Sequence, residues 1–193
     1  MLFRSEIFDP LGMKDTALGA PETWFAGPQP TVERIAEVRI PSDQQHETTW
    51  NWNSKYWRKL GVPWGGLLTT PADLGRFALM MLRGGTLGNF RVLSPAAVRA
   101  ATRNQLADMP EVPEENRRCR PWGLGWRLNW PAHSANFGDF LGPRTYGHWG
   151  ATGTAIWIDP DLDAAVILLT TQPQEPHGSY LSRASNAIAA AFV

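Results

Sequence analysis

The residues best equipped for chemistry lie between Thr145 and Asp159, where Thr-Tyr-Gly-His-Trp-Gly-Ala-Thr-Gly-Thr-Ala-Ile-Trp-Ile-Asp combines three glycines, one histidine and two tryptophans in a strand-like segment. A histidine can donate, accept or move a proton near neutral pH. Glycine within a strand removes a packing side chain and marks a bulge or a place where a ligand or another backbone comes close. Gly147, Gly150 and Gly153 recur every third residue, so they cannot all share one face of a pleat of period two. From Thr154 to Ile158 the β-branched and aromatic residues suit an ordinary buried strand. The first half therefore reads as the edge of a site and the second half as its support.

A second concentration is aromatic. Trp50, Trp52, Tyr56, Trp57 and Trp64 alternate with Asn51, Asn53, Lys55 and Arg58. Rings that supply area and a few polar groups that fix orientation suit the wall of a small-molecule pocket; the plainer reading is a loop whose rings plug the core. Stacking of single-stranded nucleic acid also uses aromatic rings, but it needs a basic groove. Eighteen basic residues against eighteen acidic ones supply no such field, and none for an anionic membrane. The basic run Arg117-Arg118-Cys119-Arg120 follows Glu111, Glu114 and Glu115 and reads as a solvated loop. Cys119, the single cysteine, excludes an internal disulfide and leaves the compartment open. His46, His133 and His177 lack metal-ligand spacing, so no metal and no cofactor is expected, and Gly-x-Ser-x-Gly, phosphate-loop and dinucleotide motifs are absent.

His148-Trp149-Gly150 followed by Ala151-Thr152-Gly153 resembles the Lys-Thr-Gly or His-x-Gly strand of the serine β-lactamase and penicillin-binding-protein superfamily, above all its class C β-lactamase, DD-peptidase and family VIII esterase branches. Three further segments match in the family's order: Pro10-Leu11-Gly12-Met13-Lys14-Asp15-Thr16, Gly65-Gly66-Leu67-Leu68-Thr69-Thr70-Pro71-Ala72-Asp73-Leu74, and Gly123-Leu124-Gly125-Trp126. The resemblance implies an α+β fold of the β-lactamase/transpeptidase type, an antiparallel sheet covered by helices. It implies that His148 and Gly150 line the active site, with His148 orienting or protonating the reacting group. The Ala151 N–H then serves the oxyanion hole. Trp149, Thr152, Trp52, Tyr56 and Trp57 are the expected substrate contacts. Trp149 replaces the small residue common at the middle of the motif, which favours an ester, amide or peptide substrate over a β-lactam.

The family's nucleophile and base sit in Ser-x-x-Lys. None of Ser5, Ser42, Ser54, Ser94, Ser134, Ser179, Ser182 and Ser185 has a lysine three residues later, and no tyrosine opens Tyr-x-Asn. Both motifs precede Pro-Leu-Gly-Met in the family, so the chain is expected to be the C-terminal part of a longer hydrolase and inert by itself. A non-catalytic binding module and one half of a split enzyme are the competing expectations. Self-association through an incomplete sheet edge is expected in each case. The compartment, periplasmic, secreted or cytoplasmic, depends on the segment before this one. No apolar run is long enough to span a bilayer.

These residues need elements to position them. One partial domain is expected, with a helical and loop region over 1–121 carrying the pocket wall, and sheet strands plus a terminal helix over 122–193. Residues 2 to 8 read as a helix end with Leu2, Phe3 and Ile7 on its apolar face, stopping before Pro10. Thr31 to Ile40 reads as an edge strand or extended connection. Thr70 caps a helix with Pro71 at its first position, Asp73 facing its free N–H groups, and Leu74, Phe77, Ala78, Met81 and Leu82 inward, closed by Gly84-Gly85. Ser94-Pro95 opens another helix running to about Arg103. Residues 104 to 121 are a polar surface excursion, Trp122 to Trp130 a strand, and His133 to Pro143 a loop. Tyr146 to Trp149 is the motif strand. Thr154 to Ile158 and Ala164 to Thr171 form an antiparallel hairpin, and the second of these, apolar throughout its first six residues, is expected to be covered on both faces. Tyr180 to Phe192 is a helix with Leu181, Ala184, Ile188 and Ala191 in line to cover one of them.

Overall fold

The computed structural model describes residues 2–42, 45–46, 48–130, 137–173 and 179–192. A π-helical turn, Arg4–Phe8, leads into α1 (Asp9–Leu11), and the two-residue strand β1 (Ala17–Leu18) follows. Next come α2 (Lys55–Leu60), β2 (Leu67–Leu68), α3 (Pro71–Leu82), the ribbon β3 (Thr86–Leu87) and β4 (Phe90–Arg91), α4 (Pro95–Ala101) and α5 (Glu114–Cys119). The second part holds β5 (Arg127–Leu128), β6 (Tyr146–Gly150), β7 (Thr154–Asp159), β8 (Ala164–Leu169) and α6 (Ser179–Ala189). The last four strands form one antiparallel sheet in the order β5-β6-β7-β8, while β1 pairs with β2 and β3 with β4 in separate ribbons. The first part is thus helical and looped with two short ribbons, and the main sheet lies wholly in the second.

The register explains how both faces of the sheet are used. Ile156 pairs with Ile167 and Ile158 with Ala165, and these join Tyr146 in the cluster built on Ala78, Met80 and Met81 of α3. Trp157 pairs with Val166, and on this opposite face they pack with Ala164, Leu168, Ile188 and Ala189. β8 is therefore covered by α3 on one side and α6 on the other, as its unbroken apolar run requires. The β7–β8 connection is held by Asp159, 1% exposed, whose Oδ1 accepts the N–H groups of Asp161 at 2.8 Å and Leu162 at 3.1 Å. Its Oδ2 accepts from Thr145 Oγ1 at 2.6 Å.

Burial has a titratable consequence at Tyr146, which is 3% exposed. Loss of solvent disfavours the phenolate and pushes its pKa from 10.0 up to about 12. Between those values the folded chain keeps a proton that the unfolded chain has released. Stability is accordingly full below pH 10 and declines as pH rises towards 12, by on the order of 2–3 kcal/mol from this group. Urea midpoints collected from pH 9 to 12 should fall less steeply for Tyr146→Phe than for the parent chain; parallel curves would remove Tyr146 as the cause.

α3 forms as expected: Thr70 Oγ1 accepts the Asp73 N–H at 3.2 Å, and Pro71 occupies the first turn. Asp73 does something different from the expected service to that turn. Its buried Oδ2 accepts from the Asp15 N–H at 2.8 Å and from Thr16 Oγ1 at 2.7 Å, and Thr16 Oγ1 also meets Thr69 Oγ1 at 2.8 Å. Two of the quoted motifs are thereby one interlocked unit, the Asp15-Thr16 turn fastened to the start of α3. Asp73→Ala removes the acceptor shared by the Asp15 N–H and the buried Thr16 hydroxyl and should cost about 1–3 kcal/mol, read as a lowered urea midpoint with an unchanged slope.

Several boundaries differ from expectation, each for a local reason. The first helix passes Pro10 and ends at Gly12, whose φ is +67°. The Asp9 N–H reaches back five residues to Arg4 O, and this widened turn accommodates the proline ring. Phe8 and Leu11 are its buried residues, whereas Leu2 and Phe3 are exposed. Thr31–Arg34 is a 3₁₀ turn and the segment after it is extended but unladdered, joined to the end of β8 through the Arg39 N–H and Thr171 O at 2.9 Å. α4 stops at Ala101, and residues 104–121 contain a 3₁₀ turn, Gln105–Asp108, besides α5. In the Trp122–Trp130 segment only Arg127 and Leu128 are laddered; the Gly123 N–H bonds Trp126 O at 2.7 Å, folding the glycine-rich part into a turn closed by a Trp122–Arg127 bridge. The buried line of α6 is Leu181, Ser185 and Ala189, and Ala191 is exposed beyond its end. Ser185 belongs inside because its hydroxyl accepts from Trp157 Nε1 at 2.8 Å and donates to Phe137 O. Residues 133–136 of the loop expected from His133 to Pro143 lie outside the described residues, as does His177.

Candidate active site

β6 and β7 form a hairpin closed by the Gly150–Thr154 pair, so the turn Ala151-Thr152-Gly153 stands at the sheet's end. The Gly153 N–H donates to Gly150 O at 3.0 Å, and Gly153 adopts φ +86°, the left-handed conformation that a three-residue hairpin loop requires at its last position. Ala151 is exposed, and its N–H has no backbone acceptor among the described residues. A strand-end N–H held in a fixed turn and open to solvent is the donor that an oxyanion needs. The turn is clamped from behind: Gly153 O accepts Thr170 Oγ1 at 2.7 Å, and Tyr180 Oη donates to Gln172 O at 2.5 Å. Close approach explains Gly147 too, since a Cβ there would lie 2.0 Å from Ile156 O across the ladder.

His148 is half-buried and its Nδ1 lies 2.9 Å from Trp149 N and 2.7 Å from Trp149 O. A neutral Nδ1 accepts from that N–H and a protonated one donates to that carbonyl. Either way Nδ1 is committed to its own strand, and Nε2 is the nitrogen left for another group. The ring meets Trp122 edge-on at 5.5 Å and Trp149 at 5.4 Å.

Sequence reasoning missed the cation of this cluster. Arg127 in β5 sits opposite Gly147 in β6, and its guanidinium carbon lies 5.1 Å from the ring centroid of Trp122 and 5.1 Å from that of Trp149. Burial first, and the like charge of Arg120 second, push its pKa down. No acid pairs with it among the described residues. Two aromatic faces around an unpaired, planar, five-donor fork prepare it for a carboxylate. Trp122 is itself fixed by a hydrogen bond from Gln105 N–H to its carbonyl at 2.8 Å, so the polar excursion over 104–121 has a positioning role. The signal available in the sequence was a lone arginine placed among Trp122, Trp126 and Trp130 directly after the Gly-Leu-Gly-Trp motif.

The other candidate residues form a separate group. Trp50 makes edge contacts with Tyr56 at 5.6 Å and Trp57 at 5.9 Å, and Trp57 meets Trp64 at 5.8 Å. Trp50, Tyr56 and Trp64 are exposed, and Trp52 is half-buried beside them in sequence. Among the described residues a chain of hydrogen bonds joins this loop to the Ala151-Thr152-Gly153 turn. Asn53 exchanges two with the Val38 backbone at 2.8 and 2.9 Å, and the next residue, Arg39, binds Thr171 O and Gln172 Oε1, each at 2.9 Å. Gln172 in turn backs Gly153. Among the described residues no group of three His, Cys, Asp or Glu gathers to hold a metal, and no helix is long and apolar enough to cross a membrane.

A helix-covered antiparallel sheet whose histidine-bearing strand ends in a turn with an open N–H is the arrangement of part of a β-lactamase/transpeptidase-type fold. The chain belongs to the Beta-lactamase family, whose model matches residues 2–190. It is 30% identical over 181 residues to a Salmonella enteritidis protein named "Putative D-alanyl-D-alanine carboxypeptidase", covering 88% of this chain and 39% of that relative. A penicillin-binding-protein homologue from Caulobacter crescentus superposes with a TM-score of 0.66 at 23% identity, over 96% of this chain and 51% of that one. A β-lactamase from Mycobacterium bovis does so with a TM-score of 0.63 at 22% identity, over 98% and 54%. The chain thus spans less than half of its curated relative and about half of these structural neighbours.

Proposed function

We propose that this chain supplies the oxyanion strand and the recognition wall of a serine acyl hydrolase that acts on an ester, amide or peptide bearing a carboxylate near the scissile carbonyl. The observation that carries the reading is Arg127, a guanidinium without an acidic partner among the described residues, between Trp122 and Trp149, the two rings that His148 also meets. A serine in Ser-x-x-Lys, supplied by a segment outside this chain, attacks the carbonyl. The tetrahedral oxyanion takes the Ala151 N–H, His148 Nε2 meets the attacking or leaving group, and Arg127 holds the carboxylate. A C-terminal peptide carboxylate fits this arrangement, in keeping with the carboxypeptidase name of the Salmonella relative. The outer edge of β8, unpaired among the described residues, is where the rest of the sheet or a second copy adds.

A fluorophosphonate that labels activated serines tests this. The 193-residue chain alone should stay unlabelled and hydrolyse nothing, and the polypeptide containing Ser-x-x-Lys should be labelled at that serine. Labelling and turnover at a serine within residues 1–193 would overturn the reading. The lack of Ser-x-x-Lys here also favours two further readings. Binding of a peptide analogue without turnover by a native chain of this length marks a binding module, and activity restored by mixing with a partner chain marks a split enzyme.

A further inference from the structure

Arg127 is one cation between two rings, and the chain just before it carries a second. Arg120 lies two residues before Trp122, which is bridged to Arg127. On either side of that bridge the Gly123 N–H donates to Trp126 O at 2.7 Å and the Leu128 N–H to Pro121 O at 3.1 Å. This is the pattern of a close, non-hydrogen-bonded antiparallel pair, so the Trp122 and Arg127 side chains stand together on one face. Pro121 is buried, Trp122 half-buried and Arg120 exposed, an alternation that turns Arg120 to the same open side as Trp122. Asn104 holds the arrangement. Its Oδ1 accepts the Trp122 N–H at 3.3 Å, and its Nδ2 donates to Arg117 O at 2.8 Å in the last turn of α5. The end of α5, which Arg120 caps, is thereby fastened to the ribbon that carries Trp122.

Like charges held near one another call for an anion. Burial, and after it the charge of Arg120, holds the Arg127 pKa down, so the two guanidinium groups repel. Among the described residues neither has an acidic partner, although the first turn of α5 supplies Glu114 and Glu115 and Glu114 meets Arg118 at 4.0 Å. Such repulsion opposes folding, and a bound group with two negative charges relieves it. A single carboxylate neutralises only one of the two cations. Building on the assignment of Arg127 to a substrate carboxylate, we infer that the site selects substrates whose C-terminal residue is itself acidic, with the α-carboxylate in the Arg127 fork between Trp122 and Trp149 and the side-chain carboxylate on Arg120. The rings shield the first pair from water, and it fixes orientation. The second pair is exposed and contributes selectivity.

Calorimetric titration of the protein as its cells make it tests the inference with three ligands: acetyl-alanyl-glutamate, acetyl-alanyl-glutamine, and the C-terminal amide of the latter. Each is offered in both configurations at its last residue, with the amide before that residue replaced by –CH2–CH2– so that nothing is cleaved there. The series carries two, one and no negative charges in nearly one shape. The glutamate ligand is expected to bind about fivefold more tightly than the glutamine ligand. Arg120→Gln should abolish that margin and leave the Kd of the glutamine ligand unchanged. Arg118→Gln removes the same formal charge from α5 and should keep the margin. Equal binding of the glutamate and glutamine ligands, or a margin that survives in Arg120→Gln, overturns the inference and leaves Arg127 as a site for one carboxylate. A glutamine ligand that binds no better than its amide overturns the assignment of Arg127, and this inference with it.

Discussion

Arg127→Gln is expected to raise the KM of the complete hydrolase for a peptide with a free C-terminal carboxylate by about a hundredfold, with little change for the methyl ester of the same peptide. The size follows from losing a charge-assisted, two-pronged hydrogen bond in a partly desolvated place, on the order of 2–3 kcal/mol. Among the described residues no acid competes for the guanidinium, whose partners are the Trp122 and Trp149 rings. Arg127→Lys separates charge from shape. A lysine keeps the cation but loses the fork and most of the stacking, so it should recover only part of the discrimination. Unfolding of both variants is followed alongside, because Arg127 also fills space between two tryptophans. Equal losses on the acid and the ester would mean that Arg127 acts through the packing of Trp149 and not on a substrate carboxylate. In a binding module the same pair of ligands gives the same contrast in Kd, so carboxylate recognition can fail or hold independently of catalysis.

Gly153→Ala is expected to be the most damaging single substitution in the hairpin, at about 3 kcal/mol or more of stability. Gly153 combines φ +86° with a wall of backbone: an added Cβ would stand 1.7 Å from Gln172 O and 2.3 Å from Tyr180 Oη. Neither the turn nor the end of β8 can yield without the other, because Gly153 O also accepts the Thr170 hydroxyl. Relief by backbone movement would carry the Ala151 N–H with it, which should lower kcat of the complete enzyme by about a hundredfold where that N–H stabilises the oxyanion. Gly150→Ala is the control. Its Cβ would meet only the Thr154 and Thr152 side chains, nearest Thr154 Oγ1 at 2.6 Å, and a hydroxyl can rotate away. Urea midpoints should therefore rank the parent above Gly150→Ala and Gly150→Ala well above Gly153→Ala; the reverse order would show that the turn is softer than its hydrogen bonds imply.

Much of this was written locally in the chain. Thr70-Pro71 fixes the start of α3, the apolar run Ala164 to Leu169 requires a strand covered twice, and Asp159 to Asp163 joins it to β7. Each follows from periodicity, capping or turn chemistry over a few residues. The four motifs likewise sufficed for the family, because each is contiguous. What the sequence could not determine depends on residues distant along the chain. Asp73 serves Asp15 and Thr16, 58 and 57 residues away, and Ser185 is buried because Trp157 and Phe137 satisfy its hydroxyl. Arg127 belongs to the candidate site only because the register sets it opposite Gly147, with its guanidinium beside the Trp149 ring. The aromatic loop shows the same limit: its composition suited a pocket wall and a core plug alike, and its attachment to the Ala151-Thr152-Gly153 turn runs through Asn53, Arg39 and Gln172. Local pattern determines which elements form. Ladder register and long-range hydrogen bonds, made only once those elements pack, decide which side chains meet.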